Sequence, residues 1–154
     1  MSKYEDALFN LRVPDLVRQD AGHAIIAHAL VDQMLGTLIL AYLPNKLSDS
    51  GAAKLLSRGG PFSSLLAKTA FASELELIGD ETRKDLEGIN AVRNAFAHPK
   101  GFLRFGSPEV VAVFKKHWPE ADGAKALFDD RIERAAEAMK AKFDSLIYES
   151  TVRP

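Results

Sequence analysis

From position 15 to position 42 apolar residues recur at intervals of three and four with few polar interruptions, and that period predicts one long helix. Pro14 suits its first turn, where a missing N–H costs nothing, and Pro44-Asn45 ends the run. The length and near-continuous apolarity mark this as the central helix of the chain. Residues 47–56 predict a shorter helix, with Ser48 or Asp49 as its cap. Gly59-Gly60-Pro61 breaks the pattern, and Ser63-Ser64 then stand in cap position for a helix over 64–77. Gly79-Asp80 punctuates again. Asp80 is placed as the N-cap of a helix over 81–97, with Glu81 at the positive end of its dipole and Pro99 forbidding helical geometry at His98.

Ser107-Pro108-Glu109 carries cap, first-turn proline and acid in the order that opens a helix, here to about position 116. Residues 119–123 form a loop. The last helix, 124–148, puts Phe128, Ile132, Ala135, Met139, Phe143 and Leu146 on one stripe with charges opposite. That stripe serves either the core or a seam with a second subunit. Residues 101–105 are a weak strand candidate. The expected fold is all-α, a single-domain helical bundle of about six helices spanning 1–154, with a long central first helix.

Composition narrows the function classes. Hydrophobic residues make up 47% and charged residues 27% of the 154, as in a globular protein. A net charge of −1 argues against a broad nucleic-acid footprint, which needs clustered Lys and Arg, while leaving room for a local basic site. The chain has no cysteine, so disulfides, zinc fingers and thiol nucleophiles are excluded, and a reducing compartment is compatible. The charged start Met-Ser-Lys-Tyr-Glu-Asp does not read as a signal peptide, and the expected location is cytoplasmic. Residues 24–43 have about the length of a membrane span, but they include His28, Asp32, Gln33 and Thr37. The segment is therefore expected to be a helix buried on several sides of a soluble domain, not a membrane span.

Candidate chemistry concentrates at Arg93-Asn94-Ala95-Phe96-Ala97-His98. On a helical wheel Leu86, Ile89, Val92 and Phe96 form the apolar face, Arg93 lies on its edge, Asn94 points away, and His98 is one turn beyond Asn94. A guanidinium on an apolar face needs a carboxylate or several carbonyl partners. Asp32, with His28 one turn away on the long helix, is the expected partner of Arg93. His98 stands at a helix C-terminus, where the dipole and free carbonyls favour an imidazolium. An arginine that holds a phosphate and a histidine that moves the proton of a ribose hydroxyl would suit metal-independent RNA cleavage. The spacing alone favours a plainer reading, in which Arg93 pins two helices and His98 caps one.

Other signals are weaker. His23 and His28 fall on different sides of one helix and make no metal pair. Gly59-Gly60-Pro61 lacks both a preceding strand and the Gly-Lys-Ser/Thr ending of a phosphate loop, so it is a helix-start loop. Lys68 reads as a solvated helix residue unless it faces the Arg93 region, and Trp118 reads as packing. No metal or cofactor is expected.

Three stretches in order carry a resemblance. Ala24-Ile25-Ile26-Ala27-His28-Ala29-Leu30-Val31-Asp32 leads into residues 38–43; Gly60-Pro61-Phe62-Ser63-Ser64 leads into Lys68 and residues 75–78; Ile89-Asn90-Ala91-Val92-Arg93-Asn94-Ala95-Phe96-Ala97-His98 is followed by Phe105 and Ser107-Pro108-Glu109. Over roughly residues 20–115 the set resembles the mannitol operon repressor (MltR-like) family; residues beyond carry no matching motif. The resemblance implies an all-helical bacterial transcription regulator without a helix-turn-helix; the near-neutral charge and the lack of a DNA-reading motif favour action through protein contacts, as a homodimer with a protein partner or as an operator-associated regulator. Arg93-Asn94 with His98 also looks like the signature of the HEPN superfamily of helical domains, often ribonucleases with a site at a dimer interface. Carried over, that nominates Arg93, Asn94 and His98 as catalytic if the protein is a toxin-like nuclease acting on RNA, with Asp32 as helper and His28 and Lys68 in support. A purely structural helical module is the third alternative.

Overall fold

Among the described residues six α-helices and no strand make up an all-α bundle: α1 Asp15–Tyr42, α2 Asp49–Leu56, α3 Leu65–Glu74, α4 Asp80–Ala97, α5 Pro108–His117 and α6 Lys125–Val152. The structure is a computed structural model and describes residues 15–43, 48–98, 101–120 and 125–152. Pro14, Pro44-Asn45, Leu47, Pro99 and the 121–124 stretch, all used above to place helix ends, lie outside the described residues.

α1 packs against α3, α4 and α6, and α4 packs against α1, α3, α5 and α6. α1 buries Ala24, Ala27, Val31, Leu35, Leu38 and Ile39, a single stripe at intervals of three and four. The expectation of burial on several sides is corrected: Ile25, Ile26 and Leu30 stay exposed, so the helix is more apolar than its packing requires. By length and composition alone, Gln19–Tyr42 could cross a bilayer. α4 buries Leu86, Ile89, Val92 and Phe96 as its wheel predicts. α6 contributes Phe128, Ala135 and Met139, with Ile132, Phe143 and Leu146 packed against the same cluster, and runs on to Val152.

Helix ends obey local chemistry. Ser48 caps α2 by accepting the Gly51 N–H at 3.1 Å, and Ser64 caps α3 by accepting the Ala67 N–H at 3.2 Å. α3 stops at Glu74, three residues short of the expected end. Glu76 takes a left-handed φ of 55°, the Glu76 N–H bonds the Ser73 carbonyl at 3.0 Å, and the Leu77 N–H bonds the Ala72 carbonyl at 2.9 Å. This is a Schellman stop, normally built on glycine. It turns Leu77 and Ile78 into the core. The N-cap of α4 is Gly79, not Asp80; Asp80 and Glu81 both occupy the first turn, where the helix dipole favours them.

The strand candidate at 101–105 is not a strand. Its alternation is real in one respect, because Leu103 and Phe105 are buried, but its backbone is satisfied by a side chain rather than a ladder. Asp20 Oδ2 accepts the Phe105 N–H at 3.2 Å and Arg104 Nε at 3.0 Å. Ser107 Oγ accepts the Arg104 N–H at 2.8 Å, closing the turn that feeds α5. Phe105 then sits between Phe96, with ring centroids 5.1 Å apart, and Phe128, at 5.3 Å.

A second polar anchor ties α4, α6 and the end of α5. Asp85 is fully buried and accepts from Trp118 Nε1 at 3.0 Å and from Arg134 Nε and Nη2, each at 2.7 Å. The hydrogen bond to Asp85, set against some desolvation, raises the Arg134 pKa above its ordinary value. Gly88 makes the arrangement fit: a Cβ there would lie 2.4 Å from the Trp118 ring. Gly88→Ala is therefore expected to displace Trp118 from Asp85 and to cost about 2–3 kcal/mol in urea unfolding. Trp118 is the chain's single tryptophan, so its emission should shift to the red in the folded variant; unchanged emission and stability would refute this account of the contact.

Candidate functional site

The α1–α3–α4 junction holds most of the chemistry nominated from the sequence. Lys68, on α3, is only 5% exposed, and its Nζ lies 2.8 Å from both carboxylate oxygens of Asp32 on α1. An ammonium this enclosed needs a counter-charge, and Asp32 supplies it. The expected Arg93–Asp32 contact is thus corrected. Lys68, not Arg93, takes the carboxylate, and Lys68 is a buried partner rather than a solvated residue. The α3 period that makes Leu65, Thr69 and Ala72 internal makes Lys68 internal with them.

Arg93 is half-buried at the edge of the α4 apolar face. Its Nη1 donates to Asn94 Oδ1 at 3.0 Å, and no carboxylate among the described residues pairs with it. Next to it His28 Nε2 donates to Asn90 Oδ1 at 3.2 Å, bridging α1 and α4. Burial lowers the His28 pKa; Arg93 and Lys68 push the same way, while the Asn90 hydrogen bond and the Asp32 charge oppose them. The neutral imidazole is the resting form at neutral pH.

These groups line a surface pocket of about 360 Å³ that includes His28, Asp32, Asn90, Arg93 and Asn94, with Ser63 and Ser64 at the start of α3. The serines owe their position to a close turn after α2. There the Phe62 N–H bonds the Leu55 carbonyl at 3.0 Å, and a Cβ at Gly60 would lie 2.3 Å from the Lys54 carbonyl oxygen. Gly59-Gly60-Pro61 thus delivers the chain to the helix start and makes no phosphate loop.

His98 is elsewhere. It is exposed, terminates α4 with its backbone N–H on the Asn94 carbonyl at 3.1 Å, and does not line this pocket. The structure therefore gathers Arg93, Asn94, His28 and Asp32, with Lys68 behind Asp32, and leaves His98 outside within one chain. Asn90 was not singled out from the sequence. Its signal was present, since it precedes Arg93 and Asn94 by three and four positions and so shares their side of α4. His23 faces α6 instead, where its Nε2 contacts Asp129. No group of three metal-ligating side chains converges among the described residues.

The two cations differ in what they hold up. Asp32→Ala strands a buried ammonium and is expected to cost about 3 kcal/mol or more, most of it recovered when Lys68→Met is added. Arg93→Ala breaks no ion pair and should stay within about 1 kcal/mol of wild type. Chemical unfolding of the three variants checks both, and a large loss for Arg93→Ala would restore the purely structural reading. Comparison with protein-family models, with curated proteins and with solved structures returns no match for this chain.

Proposed function

We propose that the chain is a bacterial transcription regulator of the mannitol operon repressor kind, a cytoplasmic homodimer that acts through protein contacts rather than by reading DNA itself. The observation that carries this reading is the uncovered apolar ridge of α1. Ile26 and Leu30, one turn apart, are 63% and 54% exposed and border a groove of about 240 Å³ shared with Ile132 and Asp129 of α6. Contiguous exposed aliphatic surface of this kind marks a protein-interaction face. The resemblance over residues 20–115 supplies the regulator, and a net charge of −1 supports contacts with protein over contacts with phosphate backbone.

The test is sedimentation of the wild-type chain beside Ile26→Glu/Leu30→Glu. Wild type is expected to sediment as a dimer, and the variant should weaken the dimer by about two orders of magnitude or more, because two aliphatic side chains lose their burial. In parallel, labelled promoter DNA from the chain's own operon should show no tight binding to the protein alone. Tight binding with steep salt dependence would replace this reading with direct operator recognition.

A second reading, a metal-independent ribonuclease of the HEPN type, is favoured by one observation: Arg93, in a polar pocket, pairs with no carboxylate among the described residues. Since His98 lies outside that pocket, this reading requires a second copy to complete the site. It expects RNA cleavage in the presence of EDTA that His98→Ala and Arg93→Ala each reduce by about a hundredfold. Equal cleavage by wild type and variants, or none, rules it out.

A further inference from the structure

The pocket beside Arg93 is unusual in what its hydrogen-bonding atoms have left to offer. The amide oxygen of Asn90 is occupied by His28, and that of Asn94 by Arg93. Neither amide NH₂ has a partner among the described residues, so each remains a donor. Arg93 commits one N–H to Asn94 and has further donors to spare. Ser63 adds a hydroxyl at the rim. Asp32 is the one strong acceptor in the lining, and both of its oxygens are held by Lys68, which also neutralises its charge. With His28 neutral, the described residues of the pocket carry one uncompensated positive charge and a set of donors from α4 and the start of α3. A ligand that satisfies them must be negative and rich in acceptors.

A tetrahedral oxyanion answers that description better than a carboxylate, because its oxygens can meet donors arriving from several directions while Arg93 holds two of them. The surroundings define the rest of the ligand. Over the Leu66, Asn90 and Asn94 side chains the pocket adjoins a second depression of about 490 Å³, lined by Ala70 and Ala91 together with His117 and with Glu87, whose carboxylate is paired with Arg83. We propose that this α3–α4 groove binds a small phosphate monoester, its phosphate on Arg93, Asn90 and Asn94 and its organic part over Leu66, Ala70 and Ala91. The site goes beyond the regulator reading and does not depend on it.

Occupancy would be coupled to a proton. The charged groups around His28 are Arg93 on α4, Lys68 on α3 and Asp32 on its own helix. Burial, Arg93 and Lys68 hold the imidazole neutral; an anion against Arg93 offsets the repulsion and raises the His28 pKa. Because the bound form then has the higher pKa, affinity rises as the pH falls through the bound-state value and levels off below the free-state value.

Calorimetric titration of the full chain with phenyl phosphate, inorganic phosphate and benzoate tests the site. One saturable site per chain is expected, with phenyl phosphate tighter than inorganic phosphate and benzoate weakest. Arg93→Gln should weaken phenyl phosphate by about tenfold or more, as should Asn94→Asp, which keeps the arginine but gives it an internal carboxylate. Near-native melting temperatures of both variants separate lost binding from lost folding. Sulfate, whose charge is constant over the range, should bind several-fold tighter at about pH 5.5 than at about pH 8; because His117 also lines the groove, His28→Gln should remove that dependence while His117→Gln keeps it. Absence of saturable binding, or unchanged binding in both folded variants, overturns the proposal. So does preference for a 5′-hydroxyl RNA oligonucleotide over phenyl phosphate, which would give the groove to nucleic acid.

Discussion

The pairing of Lys68 with Asp32 decides what the rest of the junction can do. A buried ammonium without its carboxylate would be untenable, so the Asp32 side chain is committed before any other cation can compete for it. Arg93 does not pair with Asp32 and has a neutral amide as its partner. The same pair sets the electrostatics of His28, which sees two cations and one anion together with partial burial. A single ion pair between α1 and α3 thus takes Asp32, while Arg93 on α4 pairs with no carboxylate among the described residues.

Around this junction the bundle is organised by two polar anchors on either side of its aromatic core. Asp20 reaches from α1 to fix the segment that carries Phe105, and Asp85 reaches from α4 to fix Trp118 and Arg134. Each carboxylate is buried or nearly so, and each holds one backbone or ring N–H and one guanidinium. Burial without such partners would be prohibitive, so these contacts specify where the 101–107 segment and the end of α5 must lie. α4, touched by four other helices, carries both the Asp85 anchor and the Arg93 pocket on different sides of one rod.

Much of this could be read from the order of residues. Helix positions followed from periodicity, from Ser48, Ser64 and Pro108 at helix starts, and from the apolar face of α4. Arg93 and Asn94 of the motif at 93–98 line one pocket with His28 and Asp32, with Lys68 on Asp32, while His98 lies outside it. What was not legible depended on distance in space. Nothing in the spacing could say that Lys68 rather than Arg93 would pair with Asp32, since that depends on how α3 packs against α1 and α4. Glu76 hides a helix stop because glutamate is an ordinary helix former and adopts left-handed geometry only when Leu77 and Ile78 gain burial by it. Asp85 looked like one more charge on a polar helix, and only Trp118 and Arg134 arriving from elsewhere explain its place inside.

α2 contributes no fully buried residue, in contrast to every other described helix after α1. It leans on the end of α1 through Leu56 and Leu40 across a shallow apolar hollow. Detaching it exposes little of the core, so this eight-residue helix is expected to open at lower cost than the other described helices. Its last turn nonetheless reaches the buried lysine from outside, since a Cβ at Gly36 of α1 would lie 3.8 Å from Lys68 Cε and 4.0 Å from Leu56 Cδ1, so a polar group at position 56 would bring water to the Lys68–Asp32 pair.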